Sequence, residues 1–354
     1  MINKKKKRKI IIAISITLIV LLVIVPLGIS TYIYQSNFGG RFETISWMAR
    51  NLDEFDGLES KKYTFESNNG QHLVGYKYYK KIDHVKGIVV ISHGLGGGGH
   101  NSYMDVADYL ATNGYIIFAY DATGNDESEG DAVEGIPQGL IDLDYAIRFI
   151  KDNDEFNSLP IMLLGHSWGA YSVGSVLNIH PDVKAVVMIS GFNKSTDIIA
   201  EEGKRIMGIG INLLMPYVSM IEHVKFGTYS SYNCIDGFET SDAGVMIVHS
   251  YDDEMVSYEK QYKRFWNTYQ NNPRFTFVPY ENRGHNYIYY SDISKDYRNK
   301  LNNQFSEFVS SLDTELTAEI KTKYMNENLN KTILFDLDKD LMNRIVAFYD
   351  NYTK

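Results

Sequence analysis

Hydrophobic and polar positions along the chain fall into distinct regimes. From Ile10 to Tyr34 there is no charged residue, and Ile10 to Val25 is apolar except for Ser15 and Thr17. As a helix, that stretch would extend roughly 37 Å, enough to cross a hydrocarbon core of about 30 Å with some tilt. Residues 61–67 and 71–79 flank Asn68-Asn69-Gly70, a pattern that predicts a β-hairpin. Beyond it, short continuous apolar runs at 87–92, 115–120, 161–165, 183–190, 245–250 and 275–280 predict buried strands. Amphipathic stretches separate them, such as 137–152, where Leu140, Leu143, Ala146, Ile147 and Ile150 share one helical face. Buried strands alternating with helices predict an α/β fold, with a mostly parallel central sheet covered by helices on both faces. Residues 193–241 lack a clear strand and read as a helical insertion. After residue 291 the chain reads helical, with a last amphipathic stretch near 338–350.

Composition and charge refine this picture. With 354 residues, 44% hydrophobic and 22% charged, the chain has the makeup of a folded protein. Its length suits two domains or one large α/β domain with an insertion. The net charge of −9 hides an asymmetry: Lys4, Lys5, Lys6, Lys7, Arg8 and Lys9 precede any acid, and the first acid is Glu43. Without them, 29 basic residues face 44 acidic ones, a net of −15. So acidic a body is a poor partner for nucleic acid, whose binding rests on phosphate neutralisation. The basic block should stay cytoplasmic, which places the C-terminal bulk outside a single-pass segment in the cell membrane. A cleaved signal peptide competes with an anchor, but its apolar region usually runs about 7–15 residues to a small-x-small site. Here the run is longer, and Gly28-Ile29-Ser30 is a poor match. Residues 1–34 are therefore expected to form a basic N-terminus and membrane anchor, and 35–354 the folded domain. The lone Cys234 excludes an intramolecular disulfide and reads as a small apolar filler.

Candidate chemistry centres on Gly165-His166-Ser167-Trp168-Gly169, where an apolar strand runs into G-x-S-x-G and a small-residue helix follows. A serine in a sharp strand-to-helix turn is held exposed, and the flanking glycines relieve crowding. Serine is a weak nucleophile and needs a histidine base oriented by a carboxylate. In this kind of fold the order is serine, acid, histidine. Of nine histidines only His285 lies beyond the 245–250 run, in a loop after the strand at 275–280. The acid is expected in Tyr251-Asp252-Asp253-Glu254-Met255-Val256. Asp253 is preferred, because Val256 can anchor the loop's return; Asp252 is the runner-up and Glu254 reads as a solvated charge. The glycine-rich turn His93-Gly94-Leu95-Gly96-Gly97-Gly98-Gly99-His100 follows the strand at 87–92. Acyl transfer needs backbone N–H donors at the developing oxyanion, and the Leu95 and Trp168 N–H groups are assigned to it.

The same turn supports a rival reading. Gly94-x-Gly96-x-x-Gly99 matches a dinucleotide fingerprint, and Asp121 lies 22 residues after Gly99, where a ribose-binding acid would fall. That reading leaves the serine turn, the acid loop and His285 unexplained. A P-loop is excluded because His100-Asn101 stands where Lys-Ser/Thr is required. Zinc on His93 and His100 lacks a third ligand nearby in the sequence.

Taken together, His93-Gly94-x-Gly96, Tyr120-Asp121-x-x-Gly124-x-x-x-Ser128-x-Gly130, Gly165-His166-Ser167-Trp168-Gly169, Asp253 and Gly284-His285 resemble an α/β-hydrolase. The resemblance spans roughly residues 60–312. It is greatest to the group containing monoacylglycerol lipases, lysophospholipases and serine aminopeptidases. It implies Ser167, Asp253 and His285 as a catalytic triad, a lid at about 193–241, and no metal or organic cofactor. Two positions depart from the family's habit: Gly124-Asn125-Asp126 where Gly-His-Gly is frequent, and Ser250 where glycine is common. The implied activity is a membrane-anchored serine hydrolase cleaving carboxylic esters, with lipid-like substrates favoured by the uncharged stretch 206–221. An aminopeptidase would need lid acids for a substrate ammonium, and Glu201, Glu202 and Glu222 are available. A non-catalytic binding protein is a third reading, against which the complete triad stands.

Overall fold

The computed structural model describes residues 4–96 and 98–353. Met1–Asn3 of the N-terminal segment, Gly97 of the glycine-rich turn and Lys354 lie outside the described residues. Eight strands form one sheet: β1 (Glu59–Glu66), β2 (His72–Tyr79), β3 (Gly87–Ser92), β4 (Tyr115–Tyr120), β5 (Ile161–His166), β6 (Ala185–Ile189), β7 (Gly244–Ser250) and β8 (Phe275–Tyr280). Their order is β1-β2-β4-β3-β5-β6-β7-β8. The β1–β2 hairpin adds to β4 in antiparallel fashion, and every pairing from β4 to β8 is parallel.

The continuous apolar runs follow from two-sided burial. Successive side chains in a strand point to opposite faces, and here both faces are covered. In β3, Ile88 and Val90 join Phe118 and Leu163 in one core. Val89 and Ile91 join Ile117 and Leu164 in the other. Burying each such side chain is worth about 1.5–3 kcal/mol against an exposed reference. Helix Ile136–Asp152 covers the first face with Leu140, Leu143, Ala146, Ile147 and Ile150, the stripe read from the sequence. Helices Met104–Thr112 and Lys339–Asp350 cover the second through Leu110, Leu341, Ile345 and Tyr349. Asp338 caps the last of these by accepting from the Leu341 N–H at 3.0 Å.

Residues 193–241 hold the helices Ser195–Met207, Ile211–Phe226 and Cys234–Thr240, and no strand lies among them. The N-terminal helix runs unbroken from Lys4 to Phe38, long and apolar enough to cross a membrane. It extends four residues past Tyr34, because Gln35, Ser36 and Asn37 tolerate helix until Gly39-Gly40 ends it. Up to Val25 none of it is buried, whereas Ser30 and Tyr34 are.

Candidate active site

The local turn at Ser167 exposes its hydroxyl. Ser167 sits between β5 and the helix Trp168–Ser175 with φ 54° and ψ −112°, a conformation costly for a residue with a side chain. The turn closes only because Gly169 has none: a Cβ there would lie 1.9 Å from the Ser92 carbonyl oxygen of β3.

Three loops at the carboxyl ends of β5, β7 and β8 bring Ser167, Asp253 and His285 together. His285 Nε2 lies 2.8 Å from Ser167 Oγ. Its Nδ1 lies 2.9 and 3.0 Å from the two oxygens of Asp253. Asp253 Oδ1 also accepts from the Met255 and Val256 N–H groups at 2.9 and 2.8 Å, and Val256 is buried. Burial alone would raise the Asp253 carboxyl, but the hydrogen bond and charge of His285, with His249 and the Val256 amide, hold it below its ordinary value. An ionised Asp253 requires Nδ1 of His285 to carry a proton, which leaves Nε2 free to accept from Ser167.

Asp252 has a different task. Its Oδ1 accepts from the Gly284 N–H at 2.8 Å and from the Ser250 hydroxyl. Ser250 Oγ accepts in turn from the Arg283 N–H at 2.9 Å. The serine that departs from the family's glycine thus ties the acid loop to the histidine loop. Two further histidines brace the site from below. His166 donates from Nε2 to the His285 carbonyl at 2.9 Å, and burial, with the charge of His285 beside it, pushes it down to about 3. His249 donates to the Val256 carbonyl at 2.9 Å and is likewise lowered by burial. Both stay neutral and act as fixed donors. Neither role was read from the sequence, since the contacts span chain-distant loops; the positions of His166 and His249 at strand ends were the one visible signal.

Leu95 and Trp168 line the same cavity as Ser167 and His285. The Gly94 N–H is taken by the Tyr103 hydroxyl at 3.1 Å, so Leu95 carries the next available donor of that turn. The Trp168 N–H lies in the first turn of its helix, where N–H groups lack an intrahelical acceptor. Its indole is fixed by a 2.7 Å bond to the Ile136 carbonyl.

The rival readings of the glycine-rich turn find their residues engaged elsewhere. Asp121 is fully buried and accepts from the His100 N–H at 2.8 Å, with His100 Nδ1 also at 2.8 Å. It holds the turn from beneath. His93 accepts from the Ala122 N–H through Nε2 at 3.0 Å, so the two histidines are tied to different groups. His100, Asp121 and Glu127 do approach one another within 4.8 Å, but Lys62 and the Tyr76 hydroxyl already bind Glu127. Cys234 is buried, and burial pushes its thiol up to about 12.

A family model described as "Serine aminopeptidase, S33" matches residues 83–233. Human monoglyceride lipase is 26% identical over 154 residues, 43% of this chain and 50% of that protein. The monoglyceride lipase homolog of Monkeypox virus is 32% identical over 95 residues, 27% of this chain and 34% of that one. The matched segments span about a third to a half of the length of these relatives. The Pyrococcus furiosus esterase Pf2001 superimposes with a TM-score of 0.54 at 16% identity, covering 77% of this chain and 97% of that one. The chain has the α/β-hydrolase fold.

The site opens into a cavity of about 920 Å³. Apolar side chains from the 193–241 segment line much of it, among them Ile198, Ile206, Ile211, Leu214 and Val218. The three acids considered for ammonium recognition separate here. Glu201 is buried and bound by Gln261 and the Ser257 N–H. Glu222 is fully buried and bound by Ser195 and Tyr34. Glu202 does line the cavity, and Arg205 pairs with it.

Proposed function

We propose that the protein is a serine hydrolase that cleaves carboxylic esters of lipid-like acids through an acyl-enzyme on Ser167. The observation that carries this reading is the Ser167–His285–Asp253 hydrogen-bonded chain facing a large, mostly apolar cavity. Ser167 Oγ attacks the ester carbonyl while His285 Nε2 takes its proton. The Leu95 and Trp168 N–H groups receive the oxyanion. His285 returns the proton to the departing alcohol, Asp253 stabilising its cationic form. Water then attacks the acyl-enzyme with His285 again as base, and the free acid leaves. The 193–241 helices act as the lid. Membrane anchorage by Lys4–Phe38, with the catalytic body outside the cell, supplies lipophilic substrate nearby.

Lipid-like esters are favoured over peptides because two of the three lid acids are buried against the protein's own donors. The exposed Ile206, Ile209 and Leu213, at 83%, 79% and 76%, also suit a lipid surface. A fluorophosphonate probe should label the full-length protein and fail on Ser167→Ala. A panel of short acyl esters, monoacylglycerols, lysophospholipids and aminoacyl amides then defines the substrate. Preference for the aminoacyl amides would replace the esterase reading with a peptidase one, and folded protein that resists the probe would leave only a binding role.

A further inference from the structure

The membrane helix does not stop at holding the protein in place. Ser30, Ile33, Tyr34, Asn37 and Phe38 recur at i, i+3, i+4, i+7 and i+8, so they share one helical face. All five line the same cavity as Ser167 and His285. This face is firmly seated. Tyr34 is buried in a cluster with Ile141, Val218 and Phe226. Its hydroxyl donates to Glu222 Oε1 at 3.3 Å, and the Ser195 hydroxyl donates to the same oxygen. One carboxyl therefore joins the anchor to two helices of the insertion. Gly135 makes room for the contact, since a Cβ there would lie 2.0 Å from the Tyr34 hydroxyl. Just below, the Glu134 N–H donates to the Phe38 carbonyl at 3.0 Å and the Val133 N–H to the Gly40 carbonyl at 3.1 Å. Toward the membrane, the Tyr217 hydroxyl donates to the Leu22 carbonyl. Helix Ile211–Phe226 thus runs beside the anchor as far as its uncharged, membrane-length stretch.

We propose that the Ser30–Phe38 face of the anchor is a wall of the acyl-chain site, with Ile33 limiting the acyl length that Ser167 can serve. The occupant is the acyl chain of a lipid ester, reaching the cavity from the bilayer along the anchor and helix Ile211–Phe226. Ile33 and Phe38 on the anchor, with Ile211, Leu214 and Val218 on helix Ile211–Phe226, give the cavity apolar side chains of the kind such a chain requires. This inference rests on the ester-hydrolase reading above, and its test separates the two.

The full-length protein in detergent micelles is assayed with p-nitrophenyl esters from butyrate to palmitate. Ile33 is only partly buried, so Ile33→Trp narrows the wall without filling the core. It should lower kcat/KM for palmitate at least about tenfold and leave butyrate within about twofold, the discrimination that pocket volume can supply. Ile33→Ala should shift the preference toward longer chains. A second readout needs no chemistry: in a Ser167→Ala background, Ile33→Trp should weaken binding of a fluorescent C16 fatty acid by about tenfold or more. Unchanged fatty-acid affinity, with palmitate and butyrate unaffected or falling in parallel, overturns the wall. Should no ester be turned over while Ile33→Trp still weakens fatty-acid binding, the wall stands and the hydrolase reading falls.

Discussion

Replacing either of two adjacent aspartates by asparagine should have very different consequences, and the geometry says why. Asp253 Oδ1 accepts from the amides of Met255 and Val256 at 2.9 and 2.8 Å. In Asp253→Asn the side-chain carbonyl will keep those two donors, which turns the new NH₂ group toward the place of Oδ2. That place lies 2.9 Å from His285 Nδ1 and 3.4 Å from His249 Nε2. A donor there opposes the Nδ1 proton and shifts the ring toward the tautomer protonated at Nε2, which then faces Ser167 as a donor. The base is lost while nucleophile and oxyanion donors remain. In a known triad this wrong-tautomer defect costs about 10⁴ in turnover, close to 5.5 kcal/mol of barrier at about 1.4 kcal/mol per tenfold.

Asp252→Asn keeps an oxygen for both the Gly284 N–H and the Ser250 hydroxyl. It loses only the charge behind those bonds, roughly half the strength of a charge-assisted hydrogen bond. Turnover should therefore stay within about tenfold, or about 1.4 kcal/mol. The assay is kcat on a short ester at equal folded concentration, with the rate of fluorophosphonate labelling as a check that is independent of deacylation. An Asp253→Asn protein within tenfold of wild type, or a crippled Asp252→Asn beside it, would refute the assignment of acid and brace.

Glu222 offers a pH signature. Burial pushes its carboxyl from 4.5 up to about 7 against the hydrogen bonds from Ser195 and Tyr34 and the charge of Lys194. Between those values the unfolded chain is ionised and the folded chain is not, so stability should decline by about 3 kcal/mol as pH rises from about 4.5 to 7 and then level off. Glu222→Gln should flatten that part of the profile in chemical denaturation; identical profiles for the two proteins would refute it. Asp105, also pushed to about 7 by burial, is present in both proteins and cancels. Protease added to intact cells should remove the body that follows Phe38, and a body cut only in inverted vesicles would reverse the proposed topology.

What could be read in advance was whatever the chemistry makes local. Each central strand is a short apolar run because both faces are covered, as Val89 and Val90 show by entering opposite cores. The serine turn is legible because its glycines lie two residues to either side of Ser167. Relations between distant loops left no such trace. The brace from Asp252 to Gly284 spans 32 residues, and the Tyr34–Glu222 bond spans 188. The lid acids misled for the same reason. A glutamate in an amphipathic insertion suggests solvent or substrate, yet Glu201 and Glu222 face inward to close contacts between helices. Ser30, Tyr34 and Phe38 did carry a helical spacing, but with Thr31, Gln35, Ser36 and Asn37 mixed among them that spacing does not stand out.

The division of labour in the molecule follows from where its rigidity lies. Ser167, Asp253 and His285 sit at strand ends, each held by backbone contacts: the Gly169 turn against β3, the two amides on Asp253, and His166 beneath the His285 carbonyl. Much of the cavity beyond them is lined by helices outside the sheet, those of the insertion and the N-terminal helix. A change at Ile33 or Tyr34 should therefore alter which acyl chain is accepted while the reaction of a short ester with Ser167 proceeds as before. The reverse holds for Asp252 and Ser250, which tie the acid loop to the loop of His285 and are not among the residues lining the cavity. On the proposed reading, selectivity and rate are carried by separate parts of the chain, and the N-terminal helix belongs with selectivity.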